Sequence, residues 1–319
     1  MIVANGYALP VTSDSTISRR RLLAAGIGAS AAVSAGWLAS SPTASARPQQ
    51  CSVRYPGYRG HDLKLPYAKY FRPHTAPALP HVVDAFHAKP VAAGRIPAFE
   101  RITGDLTPTG YSPIETGYGQ TAAGITWVAV HTRMPDVTAA MWDWWFGWHS
   151  SESARYKLWH PDAHQYAAIE RDLTTARIPD RAKYIGNTSY VDEYIGPKLQ
   201  QLAIGFRDPV AHGFDVPAGH TVIFGRVGNS IAPVDLGWLA HQVRPTPEGC
   251  EMRSRFYLNV RGLHTPNLAQ AACAIARGPS ADPRDTTLGL DVGRDLLMHC
   301  GQEMHHLAGF LPELYREFA

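Results

Sequence analysis

Gly293-Arg-Asp-Leu-Leu-Met-His-Cys-Gly-Gln-Glu-Met-His-His-Leu-Ala-Gly-Phe-Leu311 is the stretch on which the fold turns. Leu297, Cys300, Met304, Leu307, Ala308 and Leu311 recur at helical spacing and make one apolar stripe, so the segment reads as a long helix with a face for a core. His299 and Glu303 stand four residues apart along the border of that stripe, on one face, where two donors can grip one cation. The same spacing also suits a surface pair or a core histidine with its partner. Pro312 is expected to stop or bend the helix, because its ring clashes with the preceding turn and it has no amide proton.

Upstream of this helix the pattern is one of strands. Leu199 to Phe206, His220 to Val227, Leu236 to Arg244 and Met252 to Val260 are β-rich runs, the last two joined by Thr246-Pro-Glu-Gly249, a turn sequence that implies an antiparallel hairpin. Gly124 to Arg133 reads as an earlier strand, after a turn at Gly117-Tyr-Gly119. Consecutive strands, a loop from Gly278 to Asp285 and a final long helix argue for an α+β domain whose antiparallel sheet wraps that helix. Between the first strand and the rest, Asp136 is placed to cap a helix from Val137 to Trp148. Trp142, Trp144, Trp145, Phe146 and Trp148 make that helix aromatic on nearly every face, which favours burial. Arg155-Tyr-Lys-Leu-Trp-His-Pro-Asp-Ala-His164 follows, in which Pro161 separates two turns and leaves His160 and His164 close together.

Residues 1–46 read as a leader. Ser18-Arg-Arg-Arg-Leu-Leu23, an apolar small-residue run from Ala24 to Leu38 and Ala44-Ser-Ala46 have the form of a twin-arginine export signal with a cleavage site. The chain is therefore expected to be exported by the twin-arginine route, to act outside the cytoplasm and to leave the membrane once the signal is cleaved. Residues 47–120, rich in Pro, Tyr and His, are expected to form a partly irregular N-terminal region before a catalytic domain over 121–319. Without the signal the net charge is about +1, which gives no field for nucleic acid or anionic lipid. With 18% charged and 45% hydrophobic residues the chain can bury a sizeable core. The cysteines, Cys51, Cys250, Cys273 and Cys300, have neither zinc-ribbon nor redox spacing. Outside the cytoplasm a disulfide is permitted, while Cys300, in the helix stripe, reads as a small buried hydrophobe.

Five strings taken together carry a resemblance: Glu115-Thr-Gly-Tyr-Gly119, Met141-Trp-Asp-Trp-Trp-Phe-Gly-Trp-His149, Arg155-Tyr-Lys-Leu-Trp-His-Pro161, Gly249-Cys-Glu-Met-Arg-Ser-Arg-Phe-Tyr257 and His299-x-x-x-Glu303. The chain resembles the 2,4-diacetylphloroglucinol hydrolase family, which includes phloretin hydrolases, from about Tyr111 to its C-terminus. That resemblance implies a Bet v 1-like helix-grip fold with an added N-terminal region, and a Zn2+ ion held by two His and two Glu. Carried onto this chain, the ligands are His164, Glu193, His299 and Glu303, with His160 in reserve for the first and Asp192 for the second. The export signal departs from the antibiotic-degrading members and suggests an extracellular compound.

The implied reaction is hydrolysis of the carbon–carbon bond between a polyhydroxylated ring and an acyl carbonyl in a small phenolic ketone. An aryl carbanion cannot leave, so the ring must first be protonated at the acyl-bearing carbon. His241 is the expected proton-transfer group, since imidazole titrates near working pH. Tyr156 and Tyr257 are expected to orient ring hydroxyls or the carbonyl oxygen. Two other functions fit the same residues: a non-catalytic helix-grip carrier of polyphenolic or apolar ligands, and a metal-dependent esterase or lactonase.

Overall fold

A computed structural model of the chain describes residues 51–279 and 288–319. The expected export signal and most of the loop before the last long helix lie outside those residues. In chain order the elements are α1 (Pro80–His87), α2 (Ile102–Asp105), β1 (Gly117–Gln120), β2 (Thr126–Pro135), α3 (Ala139–Trp148), α4 (Ser153–Trp159), β3 (His164–Ile169), α5 (Asp180–Tyr184), β4 (Thr188–Ile195), β5 (Lys198–Arg207), β6 (Thr221–Asn229), β7 (Val234–Thr246), β8 (Gly249–Leu263), α6 (Leu268–Ala276), α7 (Leu290–Ala308) and α8 (Leu311–Phe318).

The strands form one antiparallel sheet in the order β1-β2-β8-β7-β6-β5-β4-β3. β3 to β8 are consecutive neighbours, and β8 closes against β2, so the chain leaves through α3 and α4 at one end and returns at the other. α7 lies on the face left open, against β2 and β1, and the large core cluster joins it to the sheet through Val128, Leu239, Phe256, Leu297, Cys300 and Met304. This is a helix-grip architecture: an antiparallel sheet wrapped on a long C-terminal helix. A second cluster, with Trp127, Ala129, Phe224, Ala240 and Tyr257, covers the opposite face of β2, β6, β7 and β8.

Local chemistry explains most boundaries. Thr246 pairs with Gly249 across the β7–β8 turn. Gly249 has φ +154°, and a Cβ there would meet the Met134 carbonyl oxygen at 2.5 Å, so the hairpin can pack against the end of β2 only with glycine at this position. Asp136 is not the cap of α3. It takes a left-handed φ of 63° and its amide donates to the Glu248 carbonyl, while Thr138 caps the helix by accepting from the Met141 amide. Trp142 and Trp145 on α3 are fully buried. Pro312 sits in the first turn of α8 rather than at the end of α7. The break falls at Gly309 and Phe310, and proline, with no amide to lose, begins the next helix.

The described residues on both sides of the expected boundary at residue 120 belong to one compact unit. β1, read in the sequence as a turn, is an edge strand of the sheet, paired from Gly117↔Ala129 to Gln120↔Thr126. α1 packs on α7 where Gly301 has no side chain; a Cβ there would lie 2.6 Å from Val82 Cγ1. Tyr67, Tyr70 and Val82 share the large core with α7 and α8. Arg244, Arg253 and Arg255, buried on β7 and β8, are neutralised by Glu251, Glu115 and Asp105. Burial alone would raise the Glu115 carboxyl, but the hydrogen bonds and charges of Arg253 and Arg255 outweigh it and hold the group to about 2.

Cys51 and Cys273 form a disulfide across a separation of 222 residues, and Cys250 and Cys300 are buried thiols. The bridge fastens the first described residue to α6, closing nearly the whole domain into a loop. Its reduction is expected to destabilise the fold by about 5 kcal/mol, the chain-entropy value for a loop of such length. Urea unfolding midpoints of the protein with and without a thiol reductant measure this; unchanged midpoints would contradict it.

Candidate metal centre

His164 opens β3 and faces Glu193 across the β3–β4 ladder, just before a bulge between His164 and Tyr166. The turn that delivers it runs from His160, whose carbonyl accepts from the His164 amide at 2.8 Å, and Asp162 anchors that turn by accepting from the Thr75 amide. Strand alternation on β4 then decides between the two neighbouring acids. Glu193 points inward, while Asp192 points to the other side and is fully buried between Arg54, Arg277 and Gln201. Asp192 is therefore a structural anion and not a reserve ligand. His299 and Glu303 project from consecutive turns of α7 toward the same point.

Three of the four side chains, His164, His299 and Glu303, converge, and Glu193 lies beside His164. His164 Nε2 lies 3.5 Å from Glu193 Oε2 and 3.5 Å from Glu303 Oε2, and His299 Nε2 is 3.7 Å from Glu303 Oε2. One donor atom each from His164, His299 and Glu303 all fall within 4.8 Å of one another. Donors about 2.1 Å from a shared centre in a tetrahedral array stand roughly 3.4 Å apart. The observed spacings are close to that value, whereas a direct hydrogen bond would be nearer 2.8 Å.

Electrostatics at the site point the same way. His164 Nε2 is buried and has no hydrogen-bond partner. Its other nitrogen, Nδ1, is 2.9 Å from the Tyr156 carbonyl, which fixes the ring with Nε2 facing the carboxylates. Burial, reinforced by His299 and His160, pushes the His164 imidazolium well down, and burial with His160 does the same to His299. The carboxyls move the opposite way: burial lifts Glu193 to about 7, and burial together with Glu193 lifts Glu303 well up. Two neutral imidazoles and two carboxylates that repel in a dry site form a donor set whose charge a divalent cation cancels. Nitrogen-and-oxygen ligation suits zinc, so the residues present fit the ion expected from the sequence.

The other expected site residues divide. Tyr156 is fully buried beside the cluster. Its ring stacks on His164 at 3.7 Å and its hydroxyl donates to Glu193 Oε2, so it orients two of the donors. His160 accepts or donates at Thr75 Oγ1 through Nδ1 and stacks on His299 at 4.6 Å; it supports the ring of a donor and is not itself one of the convergent set. His241 lies on the inner face of β7, 5.4 Å from Phe256 and 6.4 Å from Phe146 between ring centroids, and burial holds it down to about 3. Its Nδ1 is 2.8 Å from Ser254 Oγ, a partner the sequence reading missed. The hairpin turn already contained it, because a ladder starting at Thr246↔Gly249 sets His241 opposite Ser254. Tyr257 is not at the site. Phe256 takes the inward position on β8, so Tyr257 faces the second cluster, where Phe99 and Trp127 surround it.

Beside Glu193 the core leaves an apolar cavity of about 80 Å³ between β4–β8 and the start of α7. A larger hollow of about 1280 Å³ lies on the outside, among α1, β2 and α8, away from the convergent donors.

Residues 96–316 match the family model described as the DAPG hydrolase PhiG domain. The chain is 30% identical over 270 residues to the 2,4-diacetylphloroglucinol hydrolase of Pseudomonas protegens, covering 79% of this chain and 84% of that one. To the phloretin hydrolase of Eubacterium ramulus it is 29% identical over 268 residues, covering 82% and 93%. Among solved structures, Ara h 8.0201 aligns with a TM-score of 0.34 at 10% identity, over 60% of this chain and 99% of that one. With the matched region spanning the sheet, α3, α4 and both donor-bearing turns of α7, the chain belongs to the 2,4-diacetylphloroglucinol hydrolase family and is a hydrolase.

Proposed function

We propose that the protein is a zinc-dependent hydrolase that cleaves the carbon–carbon bond between a polyhydroxylated aromatic ring and an acyl carbonyl, giving the free phenol and a carboxylic acid. The observation that carries this reading is the buried, unpartnered Nε2 of His164 with a carboxylate oxygen 3.5 Å away on each of two elements. His164, Glu193, His299 and Glu303 hold the ion. Bound there, zinc supplies a Lewis acid for the acyl carbonyl and lowers the pKa of water toward neutrality.

The chain's own residues supply the rest. Tyr156 keeps Glu193 and His164 in register, so the donor set is pre-formed. His241 is neutral at working pH because its charged form is buried. Burial corrects the expectation that His241 titrates near working pH, so it takes a ring hydroxyl proton only transiently and returns it at the acyl-bearing carbon, which turns the ring into its keto tautomer. Water oxygen then bonds to the carbonyl carbon, the ring–acyl bond breaks, and its electron pair is taken up by the ring as an enolate that reprotonates to the phenol. Ser254 sets the orientation of His241 through Nδ1. A purely carrying role gives no reason to bury two carboxylates against two imidazoles.

Action outside the cytoplasm is part of the proposal, supported by the twin-arginine sequence and by the Cys51–Cys273 bridge, a pairing that persists in oxidising compartments. Incubating the mature, zinc-loaded protein with an acetylphloroglucinol and with a phenyl ester, followed by product analysis, tests the reaction. Release of phloroglucinol and acetate from the ketone is expected, and turnover of the ester alone would replace this reading with an esterase.

A further inference from the structure

The cavity beside Glu193 is lined by Ile195, Leu202, Leu239, Phe256, Val292 and Leu296, among others, and only Glu193 and Gln200 bring polar side chains to it. Val292 and Leu296 share a helical face with His299 and Glu303, two turns and one turn nearer the start of α7, so the cavity meets the donor cluster at Glu193 and extends from it toward the start of the helix. On its other side Phe256 separates it from His241. On the proposed hydrolytic reading, a ketone with its carbonyl at the donor cluster places one half here and its ring on the side of His241.

From this geometry we infer that the cavity is the acyl subsite and takes an unbranched alkyl chain longer than acetyl. The inference rests on the proposed hydrolytic reading. Two features decide the chemistry of the occupant. The volume, about 80 Å³, is well below the ~150 Å³ apolar cavity that admits benzene, so a slender chain enters where an aryl group does not. The lining also offers almost no hydrogen-bond partners, so each phenolic hydroxyl stripped of water there loses roughly tenfold or more in affinity, while each methylene gains roughly fourfold. The polyhydroxylated ring is thereby directed to the His241 side, where its proton has to move.

Phloroglucinol ketones bearing acetyl, butanoyl, hexanoyl and 3-(4-hydroxyphenyl)propanoyl groups separate the possibilities with the mature, zinc-loaded protein, assayed for cleavage and, by tryptophan fluorescence, for binding. From acetyl to butanoyl the expected rise in kcat/KM is roughly fourfold per methylene, with the hydroxyphenylpropanoyl ketone below butanoyl. Leu296→Phe, at a half-buried wall position where a larger ring has room to adjust, is expected to reverse that rise. Cleavage with no gain along the alkyl series, or with the aryl ketone preferred, would overturn the subsite and leave the hydrolytic reading intact. Binding that strengthens with chain length in the absence of any cleavage would uphold the subsite and defeat the hydrolytic reading. Neither binding nor cleavage would overturn both.

Discussion

His299→Ala and Glu303→Ala are each expected to strip the protein of bound zinc and of hydrolytic activity together. The two donors sit on adjacent turns of one helix and reach the same point as His164, beside which Glu193 lies. Loss of either leaves three donors, and in Glu303→Ala also removes half the negative charge that balances the cation. Zinc content is expected to fall from near one ion per chain to a small fraction, and activity to background. The fold is expected to survive, because the stripe of Leu297, Cys300, Met304 and Leu307 that anchors α7 is untouched. Elemental analysis and circular dichroism on the same samples make the comparison, and full zinc occupancy in either variant would refute the ligand assignment.

His241→Asn is expected to behave differently: full zinc content with turnover lowered by roughly a hundredfold or more, the usual scale for a positioned acid–base group. His241 touches Ser254, Phe256 and Phe146 but none of the convergent donors, so its removal has no route to the metal except through repacking. A rate equal to that of the unaltered protein would exclude a role in proton transfer. Loss of zinc along with activity would mean that His241 supports the site's structure.

Much of this was legible because the physics is local. The α7 stripe, the β7–β8 turn and the tryptophan-rich α3 announce themselves by periodicity or turn chemistry, and each lies where its residues suggest. The convergence of His164 and Glu193 with α7 depends on contacts between residues over a hundred positions apart, and spacing alone could not supply it; it entered through family resemblance. Asp192 and Glu193 are chemically alike and adjacent, so the choice between them required knowing which face of β4 meets the helix. The same two-residue period misled the reading of Tyr257: resemblance suggested an inward tyrosine, but register places Phe256 there. Tyr156 was expected from the resemblance to orient the substrate, and the structure places its hydroxyl on the Glu193 carboxylate beside the donor cluster. The 47–120 segment was expected as a partly irregular N-terminal region, and irregular chain carries no periodicity to show which residues it buries; Tyr67 and Tyr70 pack into the main core.

The central claim is that four distant side chains cage one divalent ion. Zinc K-edge X-ray absorption on the purified protein, with stoichiometry from elemental analysis, tests it most directly. One zinc per chain, bound by two imidazole nitrogens and carboxylate oxygens at about 2.0–2.2 Å, is the expected result. A protein that binds no zinc, or holds it through sulfur donors, would contradict it.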